Sequence, residues 1–484
     1  MKKVIALFAY FLVFAAPITV KAQTLTNITV DWRTILSRST PETFGTNDFQ
    51  IISSQSAADE TYHNLLAQNG LKLFRFHNAN LSNTWSSSTT RTWNADLVQQ
   101  AYSAYHAAYG DQLPTIIQNI PNWPSWMTQS NGILDPSEYD EYANFCASLV
   151  RIVNLDFHEG VVYWEPLNEM EKIYAQAGKL NDLWTIFNRA AVAMRAVDPT
   201  IKVGGPGLSY DDPGMITSFL QGSGTNIDFI SWHHYNGGNA SASTSSILAN
   251  TPNYAGSVVL VRNLVNQYLP GKSVKLQLGE YNINYNYASG ENRQNTYIGA
   301  LWFASVQKYL AESGIDQATQ WNAKDDYYGL YDNYNNPRLS ATVFDWTNHY
   351  FVGDVVKTTS TQTGVEAFAV AQTDGSKSIL FINKLSTSTS VSLTSLGQSF
   401  GAGDLSVQKL DQNGVSTVSL PVTSLSPGPF TLGAYSLFML RLPRPPLVSV
   451  SGNNQQGTVG KSLSYPLVVK AIDGNGNPLS GINV

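Results

Sequence analysis

The 484-residue sequence predicts an α/β fold, a (β/α)8 barrel with a β-sandwich appended on its C-terminal side. The first observation is a rhythm of short apolar strand, loop and amphipathic helix that repeats over much of the chain. The second is that this rhythm stops near residue 350, after which short alternating strands separated by Thr, Ser and Gly turns take over. The third is that several predicted strands end abruptly in polar and aromatic residues, as barrel strands do where they carry a site.

Eight strands are predicted before residue 350, at Glu42–Asn47, Leu71–His77, Pro114–Asn119, Val161–Glu169, Lys202–Gly205, Ile227–Tyr235, Val274–Glu280 and Gln317–Trp321. Helical patterns separate them, at Asp59–Asn69, Asn94–Tyr109, Ser137–Val153, Leu180–Val197, Pro213–Gln221, Ala255–Tyr268 and Asn292–Ser313. A doubly wound open sheet is the alternative, but such a sheet normally begins with a glycine-rich turn. Gly45-Thr46-Asn47 is not such a turn, which favours the barrel.

The later strands are predicted at Val365–Gln372, Ser378–Asn383, Ser390–Leu396, Leu405–Leu410, Ser416–Leu420 and Ala434–Leu442. An alternating strand at Leu25–Ile35 precedes the barrel, and we expect it to pack on this β-sandwich. The predicted organisation is therefore a signal peptide (1–22), an N-terminal strand (23–41), the barrel (42–350), the β-sandwich (351–442) and a C-terminal segment (443–484).

The C-terminal segment begins with Pro443-Arg444-Pro445-Pro446, which is typical of a stiff linker. The residues that follow resemble the opening half of a bacterial immunoglobulin-like repeat of the invasin type, and they are Gly457–Gly460, Pro466–Ala471 and Asp473–Pro478. The segment that remains before Val484 is too short to close such a sandwich.

Composition limits the classes of partner. Charged residues make up only 13% of the chain and aromatic residues 12%, which suits a protein that handles neutral ligands such as sugars. The net charge is −6 and there is no cluster of Lys and Arg, which argues against nucleic acids and anionic membranes.

The N-terminus predicts export. Lys2 and Lys3 precede an apolar run from Val4 to Val20, and Ala22 offers a small residue for cleavage before Gln23. A membrane anchor is the alternative, which Pro17 and the shortness of the run disfavour. We therefore expect a secreted or cell-surface protein with no membrane contact after the signal is removed.

The only cysteine of the chain is Cys146, so no disulfide can form within it. It lies in an apolar helical pattern and is predicted to be a buried small hydrophobic residue.

Two predicted strands each deliver a glutamate. The fourth ends in Asn168-Glu169 and the seventh ends in Glu280, and the ends of these strands face each other across the mouth of a barrel. Retaining cleavage of a glycosidic bond needs two carboxyl groups roughly 5 Å apart, one that donates a proton and one that attacks. Glu169 and Glu280 are the predicted catalytic pair, and Asn168 is placed to bind the sugar 2-hydroxyl. Glu165 is a competing acid, but its position inside the strand favours a place in the barrel interior.

Other strand ends supply candidate substrate-binding residues. With Asn168 they are Arg75, His77, Trp123, His233, Tyr235 and Trp321. The spacing of His233 and Tyr235 puts both on one face of the sixth strand, so His234 should point the other way unless the strand is bulged. Trp123 and Trp126 are either sugar platforms or core aromatics.

No metal or cofactor is expected. His233 and His234 face opposite ways as adjacent strand residues, and no third ligand is suitably spaced. The acidic loop Asp325–Asp332 could hold calcium, but a polar rim around the site is the favoured interpretation. Glycine-rich phosphate cradles and Gly-x-Ser-x-Gly elbows are absent.

The pairing of Asn168-Glu169 on the fourth strand with Glu280 on the seventh resembles the large clan of retaining glycoside hydrolases known as clan A. This resemblance implies Glu169 as acid/base and Glu280 as nucleophile. It also implies that Arg75 hydrogen-bonds the nucleophile and holds it ionised, that His233 and Tyr235 form the His-x-Tyr of the sixth strand, and that Trp321 floors the sugar subsite.

Within the clan, the sequence is most similar to glycoside hydrolase family 39, which includes β-xylosidases. The likeness rests on Val203-Gly204-Gly205-Pro206, on Asp228–Tyr235 and on the appended sandwich, and it covers roughly residues 42–440. Leu278-Gly279-Glu280-Tyr281-Asn282 departs from the more usual Thr-Glu-Phe/Trp-Gly form. The resemblance implies a cofactor-free hydrolase of plant-type or microbial oligo- or polysaccharides. The alternative is a non-catalytic cell-surface glycan-binding or adhesion protein, which the segment 443–484 motivates.

Overall fold

The computed structural model describes residues 25–53, 55, 58–397, 403–423, 426–442, 444, 447–472 and 478. The predicted signal peptide lies outside the described residues, as do Pro443, Pro445 and Pro446 of the predicted linker.

The predicted barrel is confirmed. Eight parallel strands close on themselves in chain order, because the eighth strand pairs with the first. They are Phe44–Asp48, Leu73–Phe76, Thr115–Ile120, Tyr163–Pro166, Lys202–Leu208, Phe229–Tyr235, Lys275–Asn282 and Gln317–Gln320. Most of their residues are buried, as expected of parallel strands that have helices outside and packed side chains inside.

Helices surround this barrel. The α-helices are Glu60–Gln68, Leu81–Thr84, Ala95–Tyr109, Tyr139–Val150, Glu171–Gln176, Leu180–Val197, Pro213–Ser223, Thr244–Ala249, Asn253–Tyr268, Tyr297–Glu312 and Leu339–Tyr350. Short 3-10 turns lie at Phe49–Ile52, Pro136–Glu138, Gly224–Asn226, Tyr287–Ser289 and Arg293–Asn295, and a π-helical turn at Arg151–Asp156.

Several helices begin where the sequence places a cap. Asn94 accepts from two backbone N–H groups of the helix that follows it, and Asp212 accepts from Met215 N–H just before Pro213 opens its helix. Cys146 is fully buried in Tyr139–Val150, and burial raises the pKa of its thiol to about 12. The thiol therefore stays protonated and packs as a small apolar group.

The second part of the chain forms one ten-stranded sheet. Its strands are Thr26–Ser39, Gly353–Ser360, Val365–Gln372, Lys377–Asn383, Thr389–Leu396, Gly403–Asp411, Gly414–Thr423, Ser426–Pro427, Phe430–Leu432 and Ser436–Leu442. The sheet bends over its own core, since Phe430 at one end contacts the rings of Phe381 and Phe438 in the middle. It is thus a continuous sheet that encloses a sandwich-like core.

The N-terminal strand Thr26–Ser39 is an internal strand of this sheet. It pairs antiparallel with Gly353–Ser360 and parallel with Thr389–Leu396. From Thr26 onward, the described chain therefore first enters this sheet, then builds the barrel and returns to complete the sheet.

A buried polar cluster joins the sheet to the barrel. Glu366 of the sheet accepts hydrogen bonds from Ser305 (2.7 Å) and Tyr309 (2.9 Å) on the helix that follows the seventh strand. Lys384 pairs with Glu366 and donates to Thr251 (2.9 Å). Because buried charges are tolerated only when they are paired, this cluster fixes the sheet against the helix.

The C-terminal segment forms a two-stranded antiparallel sheet of Leu447–Ser451 and Val468–Ala471, whose side chains are mostly exposed. Within the described part of the chain, no helix combines the length and the hydropathy needed to cross a bilayer.

The placement of the N-terminal strand makes a testable prediction. Ile28 is fully buried in the core of the sheet, whereas Ile35 of the same strand is 58% exposed. Ile28→Ala should lower the free energy of unfolding by about 2–4 kcal/mol because it leaves a cavity, and Ile35→Ala should change it by less than about 0.5 kcal/mol. Urea unfolding followed by tryptophan fluorescence measures both, and equal losses in the two variants would contradict the placement.

Candidate active site

The fourth strand turns sharply as it delivers its glutamate. The sequence predicts a strand through Glu169, but the structure ends it at Pro166, which has no N–H to continue the ladder. Leu167 and Glu169 then take left-handed backbone angles, with φ values of 76° and 54°. Backbone bonds hold this turn, from Leu167 N–H to Ile120 and from Glu169 N–H to Gly207, both 2.8 Å. Left-handed residues other than glycine are uncommon and cluster at functional sites, so the turn marks the strand end as one.

The two predicted catalytic glutamates lie together at the mouth of the barrel. Glu280 is on the seventh strand and is 6% exposed, while the Glu169 side chain is 42% exposed. A carboxylate oxygen of each lies within 4.8 Å of the other. Retaining glycoside hydrolases hold their two carboxyl groups roughly 5–5.5 Å apart, so the separation fits double displacement.

Arg75 is the centre of the network beneath these carboxylates. It is fully buried, and its guanidinium donates to Glu280 Oε1 (3.0 Å), Glu165 Oε2 (2.7 Å), Asn168 Oδ1 (2.6 Å) and Asn47 Oδ1 (3.1 Å). A planar guanidinium has five N–H donors in fixed directions and can serve four acceptors at once, whereas a lysine ammonium has only three donors. Arg75 therefore ties the ends of the first, fourth and seventh strands to the second strand.

Glu165 takes the interior place that its position in the strand favours. It is fully buried, accepts from Arg75 and from Asn119 Nδ2 (3.0 Å), and also accepts from Ser231. All of its partners are protein groups, and it balances the charge of Arg75 below the mouth.

Glu280 receives hydrogen bonds on both oxygens. Arg75 contacts Oε1, and the hydroxyl of Tyr235 donates to Oε2 at 2.9 Å. His77 Nε2 lies 3.8 Å from Oε1, and the other ring nitrogen of His77 contacts Asn119 Oδ1 at 2.7 Å. These contacts fix the carboxylate and aim it out of the mouth.

His233 pairs with Glu169. Its Nδ1 lies 2.7 Å from Glu169 Oε1 and 3.6 Å from Glu280 Oε2. Burial lowers the pKa of an imidazole, but the charge of Glu280 and the bond to Glu169 outweigh burial and raise the pKa of His233. Desolvation likewise opposes ionisation of Glu169, yet the hydrogen bond and charge of His233 prevail and lower the pKa of Glu169.

Burial raises the pKa of Glu280, and the charge of Glu169 adds to this effect, against the opposing effects of His233, Arg75 and Tyr235. The role assignment leads us to expect the reverse, a raised pKa on the acid and an ionised nucleophile. The reason for the difference is the bond between His233 and Glu169. That bond favours the ionised form of Glu169 and the protonated form of His233, so the two groups titrate as a pair.

Aromatic side chains line the mouth beside the carboxylates. The Trp321 ring packs against His77 and against Phe49, with ring centres 5.5 and 5.3 Å apart. Tyr328 follows on the same loop, where burial and nearby negative charges, that of Glu280 among them, raise the pKa of its hydroxyl. Trp321 thus reaches the glutamate pair through His77, whose Nε2 lies 3.8 Å from Glu280 Oε1.

Not every predicted residue joins this group. Trp123 is 3% exposed, donates to Gln129 (3.2 Å) and packs edge-on against Tyr142 and Tyr174, so it lies in the core. His234 pairs with Asp211 (3.1 Å), apart from the carboxylates.

The three residues Glu169, His233 and Glu280 could in principle hold a metal ion, since their ligand atoms lie within 4.8 Å of one another. Arg75 already donates to Glu280, and its fixed positive charge opposes a cation there. In the acidic loop, Asp325 accepts from the backbone N–H groups of Tyr327 (2.8 Å) and Gly329 (3.0 Å) and from Asn322 (2.7 Å). Its carboxylate therefore shapes the loop.

Sequence reasoning misses three residues of the network, Asn47, Asn119 and Ser231. Asn47 and Asn119 end predicted strands, so the rule that found Arg75 could have found them. Ser231 lies inside the sixth strand and gives no such signal.

Fold and site together define a class, the (β/α)8 barrels that carry paired carboxylates at the ends of the fourth and seventh strands. Residues 131–301, which contain both glutamates, match the family "Glycosyl hydrolases family 39". The likeness to this family predicted from the sequence is confirmed for that segment. A β-xylosidase from Caldicellulosiruptor saccharolyticus is 30% identical over 108 residues, which span 21% of this chain and 22% of that protein.

Solved structures share the fold over most of the chain. A monomeric β-xylosidase from Caulobacter crescentus has a TM-score of 0.64 at 15% identity and covers 86% of this chain and 99% of its own. A family 39 enzyme from Xanthomonas axonopodis pv. citri has a TM-score of 0.62 at 14% identity, covering 89% and 99%. A family 51 α-L-arabinofuranosidase from Bifidobacterium longum reaches 0.66 at 13% identity, covering 87% and 100%.

The hydrogen bond from Tyr235 to Glu280 leads to a prediction about the pKa of Glu280. The phenol donates to the carboxylate and so stabilises its ionised form; its removal should raise the pKa of Glu280. Carbon-13 NMR titration of glutamate-labelled protein measures this pKa, with Glu280→Gln to assign the signal. Tyr235→Phe should shift the titration to higher pH, whereas Tyr334→Phe, at an 83% exposed position, should leave it unchanged. A shift to lower pH would contradict the contact.

Proposed function

We propose that this protein is a retaining glycoside hydrolase that works by double displacement, with Glu280 as nucleophile and Glu169 as acid/base. The observation that carries the proposal is the approach of the two carboxylates to within 4.8 Å at the ends of the fourth and seventh strands. The family 39 match over the segment that contains both residues supports it.

In the first step, a carboxylate oxygen of Glu280 bonds to the anomeric carbon as the glycosidic bond breaks. The departing oxygen takes the proton that the pair holds: His233 passes it to Glu169 along the 2.7 Å hydrogen bond, and Glu169 donates it, which leaves Glu169 as a carboxylate and His233 neutral. In the second step, water gives a proton back to Glu169 and attacks the same carbon, which releases Glu280 as a carboxylate.

This scheme assigns each limb of the pH–rate profile. Glu280 must be ionised to attack, and its pKa is raised, so activity falls as pH drops through that value. The pair of Glu169 and His233 must together hold a proton, and the pKa of His233 is raised, so activity falls as pH rises through the value of the pair.

Asn168 supports the transition state in this scheme. Its Oδ1 accepts from Arg75, which orients the amide so that its nitrogen is available to a sugar hydroxyl. Hydrogen bonds to the 2-hydroxyl strengthen as positive charge develops on the sugar ring.

The substrates we propose are plant-type or microbial oligo- or polysaccharides, with β-xylosides first. The names of the Caldicellulosiruptor and Caulobacter proteins support this choice. The alternative, a non-catalytic glycan-binding or adhesion protein, is disfavoured by the intact pair and its donors, which a binding module does not need.

Substitution of the two glutamates tests the proposal. Glu280→Gln and Glu169→Gln should each lower kcat on 4-nitrophenyl glycosides by at least about 10³-fold, roughly 4 kcal/mol of barrier. The substrates are the xyloside, arabinofuranoside, glucoside and glucuronide. Glu169→Gln should lose less with 2,4-dinitrophenyl substrates, because a good leaving group needs little proton donation.

Glu141→Gln is the matched control, since the Glu141 side chain is 41% exposed, close to the 42% of Glu169, and lies away from the pair. Near-normal turnover in either test variant would show that the roles are wrong. Glycan binding without labelling of Glu280 by a mechanism-based fluorosugar would support the binding protein instead.

We also propose that the protein is exported, on the strength of the N-terminal sequence from Lys2 to Ala22. When the full chain is produced in a bacterium, mature protein should appear outside the cytoplasm and begin at Gln23. N-terminal sequencing measures this, and Leu12→Arg, which interrupts the apolar run, should keep the chain in the cytoplasm. Exported protein that still begins at Met1 would favour an anchor.

A further inference from the structure

Tyr285 is an exposed aromatic residue that is nevertheless held in place at the mouth of the barrel. It follows the seventh strand and is 65% exposed. Its backbone N–H donates to the carbonyl of Gly237 at 3.0 Å, and the hydroxyl end of its ring lies so close to Gly238 that a Cβ atom there would overlap it. The glycine thus permits a close contact that sets the direction of the ring.

This ring lies next to the proposed nucleophile site but not in it. Tyr285 packs edge-on against Tyr235, with ring centres 6.4 Å apart and an interplanar angle of 82°. Tyr235 in turn donates to Glu280. Tyr285 is therefore one aromatic ring further from the reacting carboxylate than Tyr235.

The loop that carries Tyr285 is fastened to its neighbour. The Tyr327 hydroxyl donates to the carbonyl of Asn286 at 3.2 Å and lies 3.1 Å from Ser289 Oγ. Asn284 also accepts from Asn286 N–H at 2.7 Å. The loops after the seventh and eighth strands thus form a joined rim that presents the ring in one orientation.

We propose that Tyr285 forms a subsite that stacks on a sugar unit adjacent to the one whose bond is cut. The proposal rests on the proposed function and narrows its substrate class to oligosaccharides of two or more units. An aromatic ring has a large apolar face, and leaving it in water is unfavourable unless a ligand covers it. The C–H face of a sugar unit is such a cover, and a ring that is already oriented loses little entropy on binding.

Tyr334 is the comparison for an ordinary surface tyrosine. It is 83% exposed and makes no ring contact with any described residue. Tyr285 differs from it by its ring contact with Tyr235, by its close approach to Gly238 and by the hydrogen bonds that tie its loop.

The test compares a long substrate with one that cannot reach the subsite. Xylotetraose spans neighbouring units, whereas β-D-xylosyl fluoride has one sugar unit and a single-atom leaving group. Tyr285→Ala should raise KM for xylotetraose about tenfold, while its kcat/KM for xylosyl fluoride stays within about twofold of wild type. Tyr285→Phe should behave as wild type, because stacking needs the ring and not the hydroxyl.

Two further variants make the test specific. Gly238→Ala should displace the ring and raise KM for xylotetraose in the same way, and the double variant with Tyr285→Ala should be no worse than either single one. Tyr334→Ala should leave the kinetic constants for both substrates unchanged. An equal loss on both substrates in Tyr285→Ala, or no loss on xylotetraose, would overturn the subsite.

A binding measurement separates this inference from the proposed function. Calorimetry with xylotetraose on Glu280→Gln, with and without Tyr285→Ala, reads the subsite without turnover, and the second change should weaken binding about tenfold. If the wild type hydrolyses no substrate but Tyr285→Ala still weakens xylotetraose binding, the proposed function is overturned and the subsite is kept. If the wild type hydrolyses xylosyl fluoride but Tyr285→Ala leaves xylotetraose affinity unchanged, the subsite is overturned and the proposed function is kept.

Discussion

The arrangement of the site depends on one buried guanidinium. Arg75 donates to Glu165 and Glu280 and to the amide oxygens of Asn168 and Asn47, so it links the first, second, fourth and seventh strands beneath the mouth. A buried cation without partners would be very unfavourable, so the folded barrel requires these acceptors around Arg75. The positions of the proposed nucleophile and of the residue beside the proposed acid are thereby set by the same group.

The balance of charge around Arg75 explains why two carboxylates in contact with it play different parts. Glu165 has only protein partners and neutralises the guanidinium from below. Glu280 meets the same cation from above and keeps one face toward the mouth. Glu169 pairs with His233, whose Nδ1 faces both upper carboxylates. In the proposed mechanism, a proton shared between Glu169 and His233 gives the site a proton donor while Arg75 and Tyr235 support the ionised form of Glu280.

The barrel and most of the candidate site could be predicted from the sequence, because the body of each barrel strand is apolar and packs in the core whereas its C-terminal end carries the polar residues of the site. Apolar runs ending in Arg75, Glu169, His233 and Glu280 carry the pattern directly, and the structure brings all four together. Trp123 follows the third strand in the same way yet lies in the core, since a ring large enough to bind sugar is also large enough to fill a helix interface. Ser231 shows the opposite limit, because a small polar residue within an apolar strand has no sequence signal until its partner is known.

The rim marks where prediction from sequence stops. Periodicity identifies strands and helices, but the loops after the seventh and eighth strands take their shape from contacts between segments distant in the chain, such as Tyr327 with Asn286. Tyr285 likewise packs closely against Gly238, which belongs to another loop. In this barrel the carboxylate pair is therefore placed by strands whereas the rim around it is placed by loops, and loops vary more readily than the strands that carry them.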